Sequence, residues 1–156
     1  MKKKLNRKEK RSMFLYIKER FGLGKEYFKD FDFFKTRKAI YITTKECLNS
    51  QLFKQAETAG IAFLRPNKVL KPTTNFLQLF GKHASKNVIT LSREQAERFI
   101  RGEDLELDKI KKRGDWVEPG YVIVKYQEHI LGCANFKEGV LKNMIAKSRR
   151  RHIKEL

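Results

Sequence analysis

The feature that most constrains the fold is a series of short apolar segments near the C-terminus that polar turns separate. The stretch from 122 to 126 is rich in β-branched and aromatic residues, as is typical of a strand. In it, Val122, Val124 and Tyr126 alternate with Ile123 and Lys125. Polar residues at 127–128 and 137–139 interrupt the apolar pattern twice. The sequence therefore predicts consecutive β-hairpins that build a small barrel, followed by a basic tail.

Charge is the strongest indication of what the chain binds. The 156 residues have a formal net charge of +18. A compact protein this basic repels itself unless an anionic partner offsets the charge, and nucleic acid is the first candidate. A DNA-binding or membrane-surface protein is the alternative, although no amphipathic helix with a clean lysine face supports membrane binding.

The cysteines and histidines indicate neither a metal site nor a catalytic group. Cys47 and Cys133 are far apart, in apolar surroundings, and no C-x-x-C motif is present. We expect reduced thiols in a cytoplasmic protein, with no metal or other cofactor. The acidic residues between 103 and 108 can in principle bind a metal, but such runs are more often solvated turns. No nucleophile is paired with a histidine, and we expect no enzymatic activity.

The first half of the chain predicts an α+β fold with its own core. Residues 1–11 are mostly basic and are expected to form an arm that can lie along phosphate. Residues 12–85 then alternate helical and strand patterns, including a helix over 45–59 with Leu48 and Leu52 on its apolar face. A polar stretch after Gly81 marks the boundary, so that residues 86–156 form a second domain.

The second domain opens with a strand and a capped helix. Ser92 and Gln95 form a capping-box pattern at the start of a helix that ends near Ile100. The tight turn Arg101-Gly102-Glu103-Asp104-Leu105 follows. These elements come before the hairpins, and the order of elements is therefore strand, helix, glycine turn and closing strands.

This order resembles the PUA domain, a compact pseudo-barrel appended to RNA-modifying enzymes and ribosome-assembly factors. The resemblance lies in the turn at 101–105, the Gly-Tyr-Val-Ile-Val strand at 120–124 and the Leu-Gly-Cys-Ala segment at 131–134. The segment at 139–150 is similar to the C-terminal PUA-like module of Fmu/Sun-class RNA cytosine-5 methyltransferases, except that Ala146 stands where that class has proline. The resemblance implies an α+β chain with an N-terminal mixed α/β domain and a C-terminal PUA-like pseudo β-barrel.

The methyltransferase part of that class has no counterpart in the sequence. Gly22-Leu-Gly24 follows a helix and not a strand, so it fails the test for a dinucleotide-type loop. Neither Cys47 nor Cys133 stands in the sequence context of the catalytic cysteines of that class. The resemblance therefore implies an RNA-binding module without its enzyme.

Candidate RNA-binding residues occur in three places. The turn after the capped helix brings backbone close to a ribose-phosphate, the last strand presents a cation and an amide, and the tail concentrates arginine, whose planar fork suits phosphate. The predicted residues are Arg101, Gly102, Lys142, Asn143, Lys147, Arg149, Arg150 and Arg151. Aromatic side chains can also stack on bases, although at least half are expected in the core; these are Trp116, Tyr121, Tyr126 and Phe136.

Two functions remain open at this point. The first is a non-catalytic protein that binds structured ribosomal or transfer RNA, with a separate RNA-modifying enzyme or a ribosomal particle as its partner. The second is a subunit or a divergent enzyme of RNA modification. Neither choice follows from the sequence alone.

Overall fold

The computed structural model describes residues 1–53, 59–107 and 117–145, which divide between two compact units, Met1–Phe80 and Gly81–Leu156. The architecture is α+β, with one five-stranded sheet in each unit. The boundary predicted between residues 85 and 86 lies a few residues after the division between the units.

Unit 1 contains an antiparallel sheet in which the strands follow one another in chain order, β1-β2-β3-β4-β5. The strands are β1 (Lys3–Lys4), β2 (Phe31–Lys35), β3 (Ile40–Thr44), β4 (Ile61–Arg65) and β5 (Lys71–Pro72). The helices are α1 (Arg7–Phe21), α2 (Lys45–Asn49) and α3 (Thr74–Phe80), with a 3-10 turn at Lys25–Phe28.

Helix α1 begins and ends where local chemistry dictates. Asn6 and Glu9 form a reciprocal capping box at its start, and Gly22 ends it in the left-handed conformation at φ 68°. The helix buries Met13, Ile17 and Phe21, as its spacing predicts. Gly22 thus caps the C-terminal end of α1.

The core of unit 1 is largely aromatic. Phe28 lies 4.6 Å from Phe80 and Phe63 lies 4.7 Å from Phe76, measured between ring centroids. Tilted and edge-to-face contacts of this kind are favourable beyond the area that they bury. These contacts attach α3 to the sheet, and Phe14 of α1 lies 5.5 Å from Phe33 of β2, so both helices pack on the sheet through aromatic rings.

Two predictions for unit 1 differ from the structure. The helix expected over 45–59 ends at Asn49 and a turn follows, while residues 54–58 lie outside the described part; Leu52, expected on the apolar face, is 67% exposed. Residues 1–11 were expected to form an arm. In the structure Lys3–Lys4 pairs with β2, Leu5 is buried and α1 begins at Arg7, because the apolar Leu5 and the Asn6 cap incorporate the segment into the unit.

Unit 2 contains the second sheet, in the order β6-β8-β9-β10-β7, with β6 and β8 parallel and the other pairs antiparallel. The sheet curls into a half-barrel. Its elements are β6 (Val88–Thr90), α4 (Arg93–Ile100), β7 (Leu105–Glu106), β8 (Gly120–Tyr126), β9 (His129–Lys137) and β10 (Val140–Asn143), after a 3-10 turn at Gly81–His83.

The hairpins predicted at the C-terminus are confirmed. Strands β8 and β9 pair from Gly120–Phe136 to Tyr126–His129, and β9 turns into β10 through Glu138 and Gly139. Both of these turn residues have positive φ, as a tight two-residue hairpin requires. The inner face of the sheet packs against Phe99 of α4, and the core of this unit is aliphatic rather than aromatic.

Candidate nucleic-acid interface

Helix α4 is fixed at its start by a side-chain cap and along its length by burial. The Ser92 hydroxyl accepts a hydrogen bond from the backbone N–H of Gln95, and the Gln95 side chain accepts one from the N–H of Ser92. The predicted capping box is therefore confirmed. Ala96, Phe99 and Ile100 are buried against the sheet, which leaves the arginines of the helix on its outer side.

The turn after α4 depends on glycine. Arg101 caps the helix, and Gly102 follows with a φ of 98°, a backbone conformation that residues with a Cβ rarely adopt. The Gly102 N–H donates to the Phe99 carbonyl at 2.9 Å, and the Glu103 N–H donates to the Arg98 carbonyl at 3.2 Å. The backbone at Arg101 and Gly102 is thus held in one conformation at the surface.

Strand β10 alternates between the core and the outside. Leu141 and Asn143 are buried, whereas Val140 and Lys142 are exposed. The strand lies between β9 and β7, and its pairing with Leu105 brings it beside the chain that leaves the α4 turn. Lys142 is therefore an exposed cation on the outer face of a strand that pairs with the segment after the α4 turn.

Asn143 does not present its amide to the outside, contrary to the sequence prediction. Its Nδ2 donates to the carbonyl of Phe99 at 2.6 Å and to that of Glu103 at 3.1 Å, and its Oδ1 accepts from the Ile145 N–H at 2.8 Å. Because Asn143 is 8% exposed, these internal bonds satisfy its amide. Its role is to attach β10 to the α4 turn, and this positions Lys142 relative to Arg101.

The cations beside the turn are partly neutralised by Glu103. Arg98 Nε lies 3.1 Å from one carboxylate oxygen of Glu103, and Arg101 Nε lies 3.6 Å from the other. The arginine side chains are 45% and 65% exposed, and ion pairs at such exposure are weak. A phosphate group can therefore displace Glu103 from Arg101 at little cost.

The basic tail lies outside the described residues. This applies to four of the predicted RNA-binding residues: Lys147, Arg149, Arg150 and Arg151. Ala146, where the resemblance departs from proline, lies there too, as does Trp116. The structure shows Arg101 and Lys142 exposed and Gly102 partly exposed, and the tail residues stay a prediction.

The aromatic candidates for base stacking are mostly structural. Tyr121 and Phe136 are each 6% exposed, and Phe136 belongs to the aliphatic core of unit 2. Tyr126 is half-buried against the same core. Burial removes the ring faces of Tyr121 and Phe136 from any ligand, so stacking on these two rings is excluded in this conformation.

The distribution of charge differs from what the tail suggests. The described part of unit 2, residues 81–107 and 117–145, has eight Lys or Arg and eight Asp or Glu. Residues 1–80 instead have nineteen Lys or Arg and seven Asp or Glu. Sequence reasoning concentrated on the C-terminal arginines and missed this excess, which a count for each half of the chain reveals.

The part of the chain that the structure describes contains neither a metal-binding cluster nor a membrane span. Residues 1–53, 59–107 and 117–145 contain no group of three His, Cys, Asp or Glu side chains placed to hold a metal ion. Of the predicted acidic cluster, Glu103 contacts arginine and Asp104 accepts from the Asn143 N–H. No helix in the described residues has the length and apolarity to cross a bilayer.

One known protein family matches the C-terminal unit. Residues 86–151 match the family model described as the methyltransferase RsmF PUA domain. This region of the chain is therefore a PUA domain of the RsmF methyltransferase type, which confirms the resemblance drawn from the turn and the closing strands. No curated protein matches the chain.

Proposed function

We propose that this PUA domain binds structured RNA and that the chain is a non-catalytic RNA-binding protein of RNA modification or ribosome biogenesis. The observation that carries the proposal is the match of residues 86–151 to a PUA domain of an RNA methyltransferase family. The RNA is ribosomal or transfer RNA, and the partner is a separate RNA-modifying enzyme or a ribosomal particle, in the cytoplasm.

The surface beside α4 supports this proposal by its geometry. Gly102 has no side chain to keep a ribose-phosphate away from the backbone, the adjacent Arg101 supplies an exposed cation, and Lys142 is a further exposed cation on β10. Contacts of this kind position RNA through its backbone and its shape rather than through base edges. The rigid link through Asn143 keeps the two elements in register, so the surface is organised before RNA binds.

Binding to RNA at several salt concentrations tests the proposal. We expect the full chain to shift a structured ribosomal or transfer RNA fragment at lower protein concentration than a DNA duplex of the same length. The affinity should fall steeply as salt rises, since phosphate contacts release counterions. Equal affinity for RNA, duplex DNA and anionic vesicles would instead indicate a generally polyanion-binding protein.

The tail is tested separately. The triple variant Arg149→Glu, Arg150→Glu and Arg151→Glu should weaken RNA binding and lower its salt dependence. If the affinity stays unaltered, the tail does not contact RNA, and the binding surface is limited to other parts of the chain.

An RNA-modification subunit or divergent enzyme is the second candidate, because the matching family model describes the PUA domain of a methyltransferase. Incubation of the purified chain with bulk RNA and radiolabelled S-adenosylmethionine distinguishes the two. Incorporation of label, or tight binding of S-adenosylmethionine, would favour the enzyme over the non-catalytic protein.

A further inference from the structure

The larger excess of positive charge lies in unit 1 and not in unit 2. Unit 1 accounts for twelve of the eighteen net positive charges. Within the unit, six of the nineteen Lys and Arg lie at one end of the sheet. We call this group the basic end, and it consists of Lys3, Arg37, Lys38, Arg65, Lys68 and Lys71.

The register of the strands brings the basic end together. Lys3 of β1 is paired with Lys35, the last residue of β2, and the β2–β3 turn with Arg37 and Lys38 follows directly. Ile40, the first residue of β3, is paired with Leu64, so Arg65 lies beside the start of β3. Segments that are distant in sequence thus emerge at the same end of one sheet.

The β4–β5 connection completes the group. Arg65 is paired with Lys71, and Lys68 lies in the loop between them. Neighbouring strands in a sheet are about 4.8 Å apart, so the β2–β3 and β4–β5 turns are roughly two strand spacings from each other. A nucleic-acid strand places several phosphates within that distance.

Both turns are ordered by their own hydrogen bonds. The Thr36 hydroxyl accepts from the Lys38 N–H at 3.1 Å, and the Thr36 N–H donates to the Ala39 carbonyl at 3.0 Å. In the other turn, the Lys68 N–H donates to Oδ1 of Asn67 at 2.9 Å. Because the backbone is held locally, little backbone conformational entropy is lost when the cations contact a ligand.

The cations of both turns are available. Arg37, Lys38, Arg65 and Lys68 are exposed, and none of them forms an ion pair with another described residue. The sequence around them contains no acid at 33–45 or 58–80. Lys35 differs, since it pairs with Glu9, and it is therefore left out of the group.

Acids are found instead at the opposite end of the same sheet. Asp30 and Asp32 are at the start of β2, and Glu46 follows the end of β3. Thr44 is paired with Phe31, which places both of these strand ends together. Apart from Glu9, which pairs with Lys35, acids thus lie away from the two basic-end turns, while the opposite end mixes acids with Lys29 and Lys45.

We propose that the basic end of unit 1 is a second RNA-binding surface, which contacts the phosphate backbone of the RNA that the PUA domain holds. This inference rests on the proposed function. RNA is favoured over a membrane surface because the cations stand on two hairpin turns with polar neighbours, Thr36 and Asn67, rather than on an amphipathic helix. Two linked contacts strengthen binding through effective concentration.

Charge reversal with a matched control tests the proposal. The variants Arg37→Glu with Lys38→Glu, and Arg65→Glu with Lys68→Glu, each reverse two exposed cations at the basic end. The control, Lys29→Glu with Lys45→Glu, makes the same charge change in the same unit at the opposite end of the sheet, where both lysines are exposed. All are made in the full chain.

Affinity for a labelled RNA stem-loop is measured by fluorescence anisotropy at several salt concentrations. We expect each basic-end variant to lose about tenfold in affinity and to lower the slope of log affinity against log salt by about two, against a loss of under about threefold in the control. Equal losses in the three variants would overturn the proposal. So would a wild-type chain that binds anionic vesicles as tightly as RNA.

The failure of the inference and that of the proposed function give different results. A wild-type chain that binds no RNA contradicts both. A chain that binds RNA and is weakened by Lys142→Glu, but not by the basic-end variants more than by the control, contradicts only this inference. Milder variants, Lys38→Gln with Lys68→Gln, give an answer if charge reversal prevents folding, and thermal melts of every variant identify such a failure.

Discussion

The backbone N–H of Asn143 donates a hydrogen bond to Oδ1 of Asp104 at 2.8 Å. Together with the bonds from the Asn143 amide to the carbonyls of Phe99 and Glu103, it joins the last strand of the PUA domain to the turn after α4. The parts of the predicted RNA surface, which are far apart in sequence, are thereby held as one structure. A residue that sequence reasoning assigned to RNA instead maintains the geometry of its neighbours.

Asn143→Ala should destabilise the PUA domain by about 2–3 kcal/mol, because it removes the three hydrogen bonds of a buried side-chain amide. These are the bonds to the carbonyls of Phe99 and Glu103 and the bond from the Ile145 N–H. The measurement is chemical denaturation followed by circular dichroism. Asn135→Ala, a half-buried residue of the same sheet, is the control and should cost far less. Similar denaturant concentrations at the unfolding midpoints of the two variants would show that the amide hydrogen bonds do not stabilise the domain.

Lys142→Glu should lower affinity for structured RNA by about three- to tenfold and leave the melting temperature nearly unchanged, because the side chain points out from the sheet and contributes a phosphate contact. Fluorescence anisotropy at low and moderate salt measures the affinity. Lys137→Glu, exposed at the end of β9, is the matched control. If both variants lose affinity equally, Lys142 has no special place in the interface.

Gly102→Ala should cost about 1–2 kcal/mol of stability, because φ 98° is unfavourable for a residue with a Cβ. It should also weaken RNA binding, since the methyl group keeps a ribose-phosphate from the backbone. Thermal melts and anisotropy separate these effects. If Gly102→Ala keeps both the stability and the RNA affinity of the wild type, neither the conformational nor the functional role of Gly102 holds.

Glu9→Gln should remove part of the pH dependence of the stability of unit 1. The hydrogen bond from Lys35, followed by that from the Asn6 N–H, lowers the pKa of Glu9 below its usual 4.5. A lowered folded-state pKa means that the stabilisation is complete above pH 4.5 and is lost as the pH falls through the lower folded value. Glutamine keeps an oxygen for the Asn6 N–H, so the substitution isolates the charge.

Thermal melts from neutral pH to about pH 2 measure this effect. The difference in melting temperature between wild type and Glu9→Gln should be present at neutral pH and vanish at the acidic end. Glu19→Gln, an exposed residue on the same helix, is the control and should show a smaller change. A constant difference across the pH range would mean that the carboxylate charge does not contribute.

Local patterns predicted local structure well. The capping box at Ser92 and Gln95, the end of α1 at Gly22 and the hairpins between Gly120 and Leu141 were all readable, since each depends on residues close in sequence. The prediction that the helix continues beyond Asn49 was wrong. The apolar spacing of Leu48 and Leu52 fits a helix, but Leu52 is exposed in the structure, so no packing stabilises a longer helix there. Propensity is a weak signal when the core lies elsewhere.

The sequence by itself determined the α+β class, the PUA domain and the basic character of the chain, because periodicity, caps and charge are properties of neighbouring residues. Only the tertiary structure decided that Asn143 faces inward and that Lys38 and Lys68 emerge at the same end of a sheet. Strand register sets both results. Register depends on how distant segments pack, and a shift by one residue would turn every side chain to the opposite face.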